Sequence, residues 1–127
     1  MGSSEISSAV QEFVLRHIDS IEQLEILLLL RAHRDRPWTA EQVSREIRTA
    51  PASAARRLAG LAAAGLLARE AAGDAYRYGP QADDVDRAAG ELAQTYAVRR
   101  IAVTNLIYSR PLDQVRTFAD AFKIRED

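Results

Sequence analysis

Arginine is the side chain whose local clustering in this 127-residue chain suggests a chemical role. Seven arginines and only three acidic residues lie between residues 31 and 57, although the whole chain has a net charge of −1. The guanidinium group is planar and always charged, and it binds phosphate and carboxylate groups through paired hydrogen bonds. Because the overall charge excludes a protein that is basic throughout, we expect any nucleic-acid contact to be a local patch.

Groups suited to catalysis or metal binding are few. The absence of cysteine excludes disulfides, thiolate metal sites and a thiol nucleophile, and two histidines do not by themselves make a zinc site. Asp83, Asp84 and Asp86 form a carboxylate cluster, but they stand at the start of a predicted helix, where the helix dipole favours negative charge. No glycine-rich phosphate loop is present. The sequence therefore predicts no enzyme, no cofactor and no metal.

Composition indicates a soluble globular protein, with 47% apolar and 28% charged residues. The first five residues lack the basic region of a signal peptide. The most apolar run, residues 26–30, is much shorter than the roughly 20 residues that cross a bilayer. We therefore expect a cytoplasmic protein without membrane contact.

Periodicity and capping signals predict the elements that position the arginines. Apolar residues at helical spacing predict helices over 5–18 and 21–33 and one long helix over 83–108. Ser20 with Gln23, and Thr39 with Gln42, have capping-box spacing at helix starts.

The segment after Thr39 predicts a helix pair followed by a hairpin. Pro51 suits the first turn of a helix over about 51–64, and Gly65 suits the residue just past its end. Segments 66–71 and 75–78 flank a glycine-containing turn and predict a β-hairpin. A last amphipathic piece covers 112–124. We therefore expect a single domain over 1–127 that is mainly α with a small β-hairpin.

The order of elements over 20–79 resembles a winged helix-turn-helix of the MarR-like kind found in bacterial transcriptional regulators. Matching residues in the helix predicted over about 51–64, and just after it, carry the resemblance: Ser53, Ala54, Arg56, Leu58, Leu61, Gly65, Leu66 and Leu67. The preceding helix matches at Thr39, Val43, Ser44 and Ile47. The resemblance implies that Trp38 pairs with the hairpin, or wing, and fills the core beside it.

The same resemblance implies DNA binding, with the helix at 51–64 in the major groove, which admits one helix. At 100° per residue, Ala54, Leu58 and Leu61 face inward, so that Arg56 points away from the core and leads the contacts to bases or phosphates. The full set of predicted DNA-binding residues is Ala52, Ser53, Arg56, Arg57, Arg45, Arg48, Arg69 and Arg77.

Structural alternatives stay open for these arginines. Arg56 and Arg57 are also compatible with solvated positions or with pairing to Glu41 or Glu46, and the two hairpin arginines with a cross-strand pattern to Glu70. The outer face of the helix is mostly alanine, which makes no directional bond to bases. An adaptor that binds another protein rather than DNA is therefore the second hypothesis.

Apolar stripes outside the winged core predict a homodimer. The N-terminal helix (5–18) and the long helix with its tail (82–127) carry more apolar surface than a core of about 60 residues covers. Two-fold symmetry would also place two recognition helices about one DNA turn apart. The predicted interface residues are Phe13, Leu92, Tyr96, Ile101, Val103, Leu106, Tyr108, Phe118 and Phe122. The C-terminal helix and tail are alternatively the site of a different protein partner.

Overall fold

The computed structural model describes residues 6–71 and 74–109 and confirms a mainly helical chain with one small antiparallel sheet. The helices are α1 (Ser8–His17), α2 (Ile21–Ala32), α3 (Ala40–Ile47), α4 (Pro51–Ala63), α5 (Asp83–Val98) and α6 (100–109). The strands are β1 (Trp38–Thr39), β2 (Leu67–Arg69) and β3 (Ala75–Tyr78).

Local capping explains where α2 and α3 begin. The capping box at Thr39 is complete, because the Gln42 N–H donates to Thr39 Oγ1 at 3.2 Å and the Thr39 N–H donates to Gln42 Oε1 at 3.0 Å. At Ser20 only half of the predicted box forms. The Gln23 N–H donates to Ser20 Oγ, but Gln23 Oε1 accepts the N–H of Asp19 instead of that of Ser20.

The two ends of α4 follow the predicted proline and glycine signals. Pro51 occupies the first turn, where its missing N–H costs no helical hydrogen bond. Gly65 has a φ of +85°, a conformation that favours glycine. The N–H groups of Gly65 and Leu66 close the helix by donating to the carbonyls of Ala62 and Leu61, both at 3.0 Å. This turn directs the chain into β2.

The sheet has the strand order β1-β3-β2, so the hairpin gains a third strand from the residues just before α3. Trp38 pairs with Tyr76 across β1 and β3, and Leu67 pairs with Tyr78 across β2 and β3. All four side chains are buried. The expected packing of Trp38 against the hairpin is confirmed. The Cζ atom of Arg36 lies 3.6 Å from the centre of the Trp38 ring, so the guanidinium covers that ring.

The core gathers around α2, whose second half is apolar on nearly every side. Its fully buried side chains are Leu24, Ile26, Leu27 and Leu30. The inner side of α4 packs against α2, and α1 packs against α5. One hydrophobic cluster includes side chains from all of these helices. The same core therefore fixes both the position of α4 and its rotation about its own axis.

The prediction of one continuous helix over 83–108 was wrong. The chain leaves helical geometry at Arg99, with φ −132° and ψ 51°, and α6 begins at the next residue. The Thr95 hydroxyl donates to the Glu91 carbonyl at 2.8 Å, a local bond that bends helices. The inward apolar stripe nevertheless continues across the break, since Tyr96, Val103 and Ile107 are all buried. Periodicity alone therefore gave no sign of the break.

Candidate nucleic-acid interface

The inner side of α4 is anchored and its outer side is open. Ala54, Leu58 and Leu61 are fully buried, in agreement with the inward positions expected at helical spacing. On the opposite side, the exposed residues include Ala52, Ala55, Arg56, Ala59, Gly60 and Ala63. The small side chains leave the Arg56 guanidinium as the longest group on this side of α4.

Three arginines around α3 and α4 lack partners among the described residues. The Arg56 side chain is exposed and makes no hydrogen bond or ion pair with any described residue. The same is true of Arg45 on α3 and of Arg48, the exposed residue that ends α3 in a left-handed conformation with φ 66°. These guanidinium groups keep all their donors available for an anionic ligand.

Ser53 and Arg57 have a different environment, because both bind the carboxylate of Glu22 in the first turn of α2. Ser53 Oγ donates to the two carboxylate oxygens at 2.8 and 2.9 Å, and Arg57 Nε donates to Oε1 at 3.0 Å. Thr49 Oγ1 donates to the same carboxylate. The alternative that Arg57 pairs with Glu41 or Glu46 was wrong, because its Nε donates to Glu22 of a different helix.

Hydrogen bonding stabilises the charged form of Glu22. The Thr49 hydroxyl contributes most, and the bonds from Arg57 and Ser53 add to it, so that the pKa of Glu22 lies below its ordinary value despite partial burial. The carboxylate is therefore ionised at neutral pH. Sequence reasoning did not identify Glu22 as part of this site, because an acid in a first helical turn already has a local explanation in the helix dipole.

The hairpin arginines are paired with acids of the hairpin itself. Arg69 Nη2 lies 3.4 Å from Asp74 Oδ1, and both side chains are largely exposed. Arg77 lies 3.3 Å from Glu70, the cross-strand pattern considered above, and its Nη1 also donates to the Arg34 carbonyl. Exposed pairs of this kind contribute little free energy. They reduce the positive charge that the hairpin offers to a ligand.

The base of the hairpin is tied to α5 through Tyr78. Its hydroxyl donates to Asp86 at 2.6 Å, and the guanidinium of Arg34 lies 5.0 Å from its ring centre. Burial, together with the hydrogen bond to Asp86, raises the pKa of Tyr78 to about 12. This contact fixes the hairpin relative to α5.

The described residues among those predicted for a dimer interface divide into two groups. Phe13, Leu92, Tyr96 and Val103 are buried within the chain itself, so assigning them to a partner contact was wrong. Ile101 and Tyr108 are 75% and 63% exposed, and Leu106 is partly buried. Phe118 and Phe122 lie outside the described residues.

The described residues contain neither a candidate metal site nor a membrane-spanning helix. Within residues 6–71 and 74–109 there is no group of three or more histidine or carboxylate side chains placed to hold a metal ion. None of the helices in these ranges has both the length and the apolar character needed to span a bilayer.

Comparison with known proteins leaves the site to be interpreted from its own geometry. No protein-family model, no curated protein and no solved structure matches this chain significantly.

Proposed function

We propose that residues 20–79 form a winged helix-turn-helix and that the protein is a DNA-binding transcriptional regulator. In this proposal α4 enters the major groove, α3 braces it against the DNA backbone, and the β2–β3 hairpin is a short wing. The order of α2, α3, α4 and the hairpin supports this assignment. Burial of one side of α4 under α2 leaves its other side for a duplex.

The observation that carries the proposal is the exposed Arg56 side chain on the outer side of α4, which has no partner among the described residues. An exposed arginine flanked by alanines can approach base edges closely, since its exposed neighbours on α4 are small. Arginine is the residue that most often binds guanine O6 and N7 in the major groove. Arg45 and Arg48, also without partners among the described residues, supply charge for phosphates on the same helix-turn-helix unit.

Dimer formation is part of the proposal, because a two-fold regulator binds two half-sites. The exposed apolar residues of α6 support a contact between two copies, with Ile101 and Tyr108 on one side of that helix at a spacing of seven residues. Large exposed apolar side chains on one helix face are typical of interaction surfaces. In this assembly the exposed residues of α6 make the contact, and the buried residues that were also assigned to the interface do not.

A second candidate, a protein-binding adaptor, is favoured by the alanines of α4. The exposed face includes Gly60, around which a Cβ atom would meet nothing within 4 Å. A smooth face of small residues lets another helix pack closely. This candidate predicts that a partner protein, and not DNA, covers the outer side of α4.

Selection of bound genomic fragments at physiological salt, followed by titration of the best fragment, tests the DNA proposal. Affinity is expected to fall steeply as salt rises, because phosphate contacts release counterions. Arg56→Ala should weaken specific binding by about 10-fold, which corresponds to one lost guanine contact.

Arg87→Ala is the matched control, since Arg87 is an exposed arginine on α5 that lines a groove with α1. It should change affinity by less than about 2-fold. Equal losses in the two variants, or no selected fragment, would contradict DNA recognition through α4. A protein that copurifies with the chain and is lost in Gly60→Leu would support the adaptor instead.

A further inference from the structure

Glu22 receives donors from three residues that recur every four positions. Thr49 precedes α4, and Ser53 and Arg57 follow on one side of that helix. Because Glu22 belongs to α2, its carboxylate joins the N-terminal half of α4 to the helix that supports it. The two hydroxyls are already donating to this carboxylate, so neither is a free donor for another anion.

Arg57 retains most of its donors in this arrangement. A guanidinium has five N–H groups, and the contact with Glu22 uses the one on Nε. The terminal nitrogens Nη1 and Nη2 have no partner among the described residues, and the side chain is 33% exposed. A guanidinium held at Nε presents its two terminal nitrogens together, the arrangement that binds two oxygens of one phosphate.

We propose that Glu22 is a positioning residue for DNA binding, which holds Arg57 so that both terminal nitrogens contact one backbone phosphate beside α4. This inference rests on the proposed DNA-binding function. A side chain already held in its binding conformation loses less conformational entropy when it binds. The negative charge of Glu22 acts in the opposite direction, because it repels phosphate.

These opposing effects give the test, in which Glu22→Gln is compared with Glu46→Gln. Both variants remove one negative charge, but the exposed side chain of Glu46 on α3 has no partner among the described residues. Glutamine at position 22 keeps an oxygen acceptor for Thr49 and Ser53 while weakening the bond from Arg57. If charge alone matters, both variants bind DNA more tightly. Positioning predicts weaker binding for Glu22→Gln, by about 3-fold, and unchanged or tighter binding for Glu46→Gln.

A double-mutant cycle isolates the link to Arg57. In the wild-type background Arg57→Ala should lower affinity by about 10-fold and reduce the salt slope by about 1. In the Glu22→Gln background the same change should cost less than about 3-fold, because Arg57 is no longer held. Arg57→Lys, which keeps the charge but lacks the fork of nitrogens, should resemble Arg57→Ala.

The outcomes separate this inference from the proposed function. If the wild-type chain binds no DNA, both are wrong. If it binds but Arg57→Ala costs the same in both backgrounds, only the positioning role is wrong. A readout without DNA is the NMR signal of the Arg57 Nε–H, which should exchange slowly with water in the wild type and rapidly in Glu22→Gln. Rapid exchange in the wild type would also overturn the positioning role.

Discussion

Arg56 and Arg57 are adjacent in sequence but differ in what holds them. Arg57 Nε lies 3.0 Å from Glu22 Oε1, whereas Arg56 has no partner among the described residues. The difference follows from helix geometry, since a rotation of 100° per residue turns Arg57 toward α2 and Arg56 toward solvent. The Arg57 side chain is therefore restrained by a contact within the fold, whereas the exposed Arg56 side chain is available to bind a ligand.

Ser53→Ala should leave DNA affinity within about 2-fold of the wild type, because the hydroxyl already donates to Glu22 and is not a free donor for a phosphate. Its effect should instead be on stability, with a loss of about 1 kcal/mol from the broken hydrogen bond. Binding titration and urea unfolding of the same preparation check both expectations. A large loss of affinity with unchanged stability would show that Ser53 contacts DNA, as the sequence first indicated.

Glu22 should make stability depend on acidity. Its pKa is depressed in the folded state, so its contribution is present above the ordinary value of 4.5 and is lost as the pH falls through the lower folded-state value. Urea unfolding at several pH values should therefore show a stability difference between wild type and Glu22→Gln at neutral pH that shrinks in acid. Glu46→Gln serves as the control, with a difference that stays small throughout. A gap that widens in acid would contradict the network.

Tyr78 should have the opposite dependence at high pH. Its pKa is raised to about 12, so its contribution is complete below the ordinary value of 10.0 and is lost as the pH rises toward about 12. The tyrosinate absorbance of wild type minus that of Tyr78→Phe should report this late titration. A difference curve centred near pH 10 would show that Tyr78 is neither buried nor bonded to Asp86 in solution.

Alanine substitutions at two glycines, Gly60 within α4 and Gly65 just after it, should change the stability of the protein in opposite directions. Gly60 is helical and an added Cβ would have no neighbour within 4 Å, so Gly60→Ala should stabilise the protein by about 0.5–1 kcal/mol. Gly65 has a φ of +85°, and a Cβ there would lie 3.0 Å from the Gln81 side chain. Gly65→Ala should therefore destabilise by about 1 kcal/mol or more. Urea unfolding of the two variants measures both changes in the free energy of unfolding. Changes of the same sign would contradict the described end of α4.

Features that depend on neighbouring residues could be predicted from the sequence. Thr39 and Gln42, Pro51 and Gly65 act through backbone groups within a few positions, and each takes its expected place. The Glu22 site could not be predicted in this way, because its donors lie 27 to 35 residues away along the chain. Only the packing of α4 on α2 brings them together.

Apolar periodicity identified the apolar face of each helix, but it did not show whether the same chain or a second copy packs against that face. The stripe containing Leu92, Tyr96 and Val103 was recognised, yet it packs within the chain and not against a second copy. A stripe has the same sequence pattern in both cases. The exposed residues of α6 could be separated from the buried ones only once the position of that helix against the core was known.

Ile101→Glu should convert the proposed dimer to a monomer without unfolding it. Ile101 is 75% exposed, so a carboxylate there remains hydrated in the single chain but would be buried without a partner between two copies. Sedimentation equilibrium should show the loss of the dimer, and circular dichroism should show unchanged helix content. Gln94→Glu, at an exposed position of α5, is the control for added charge and should remain dimeric. A wild-type chain that sediments as a monomer, or a variant that remains dimeric, would show that α6 does not join two copies.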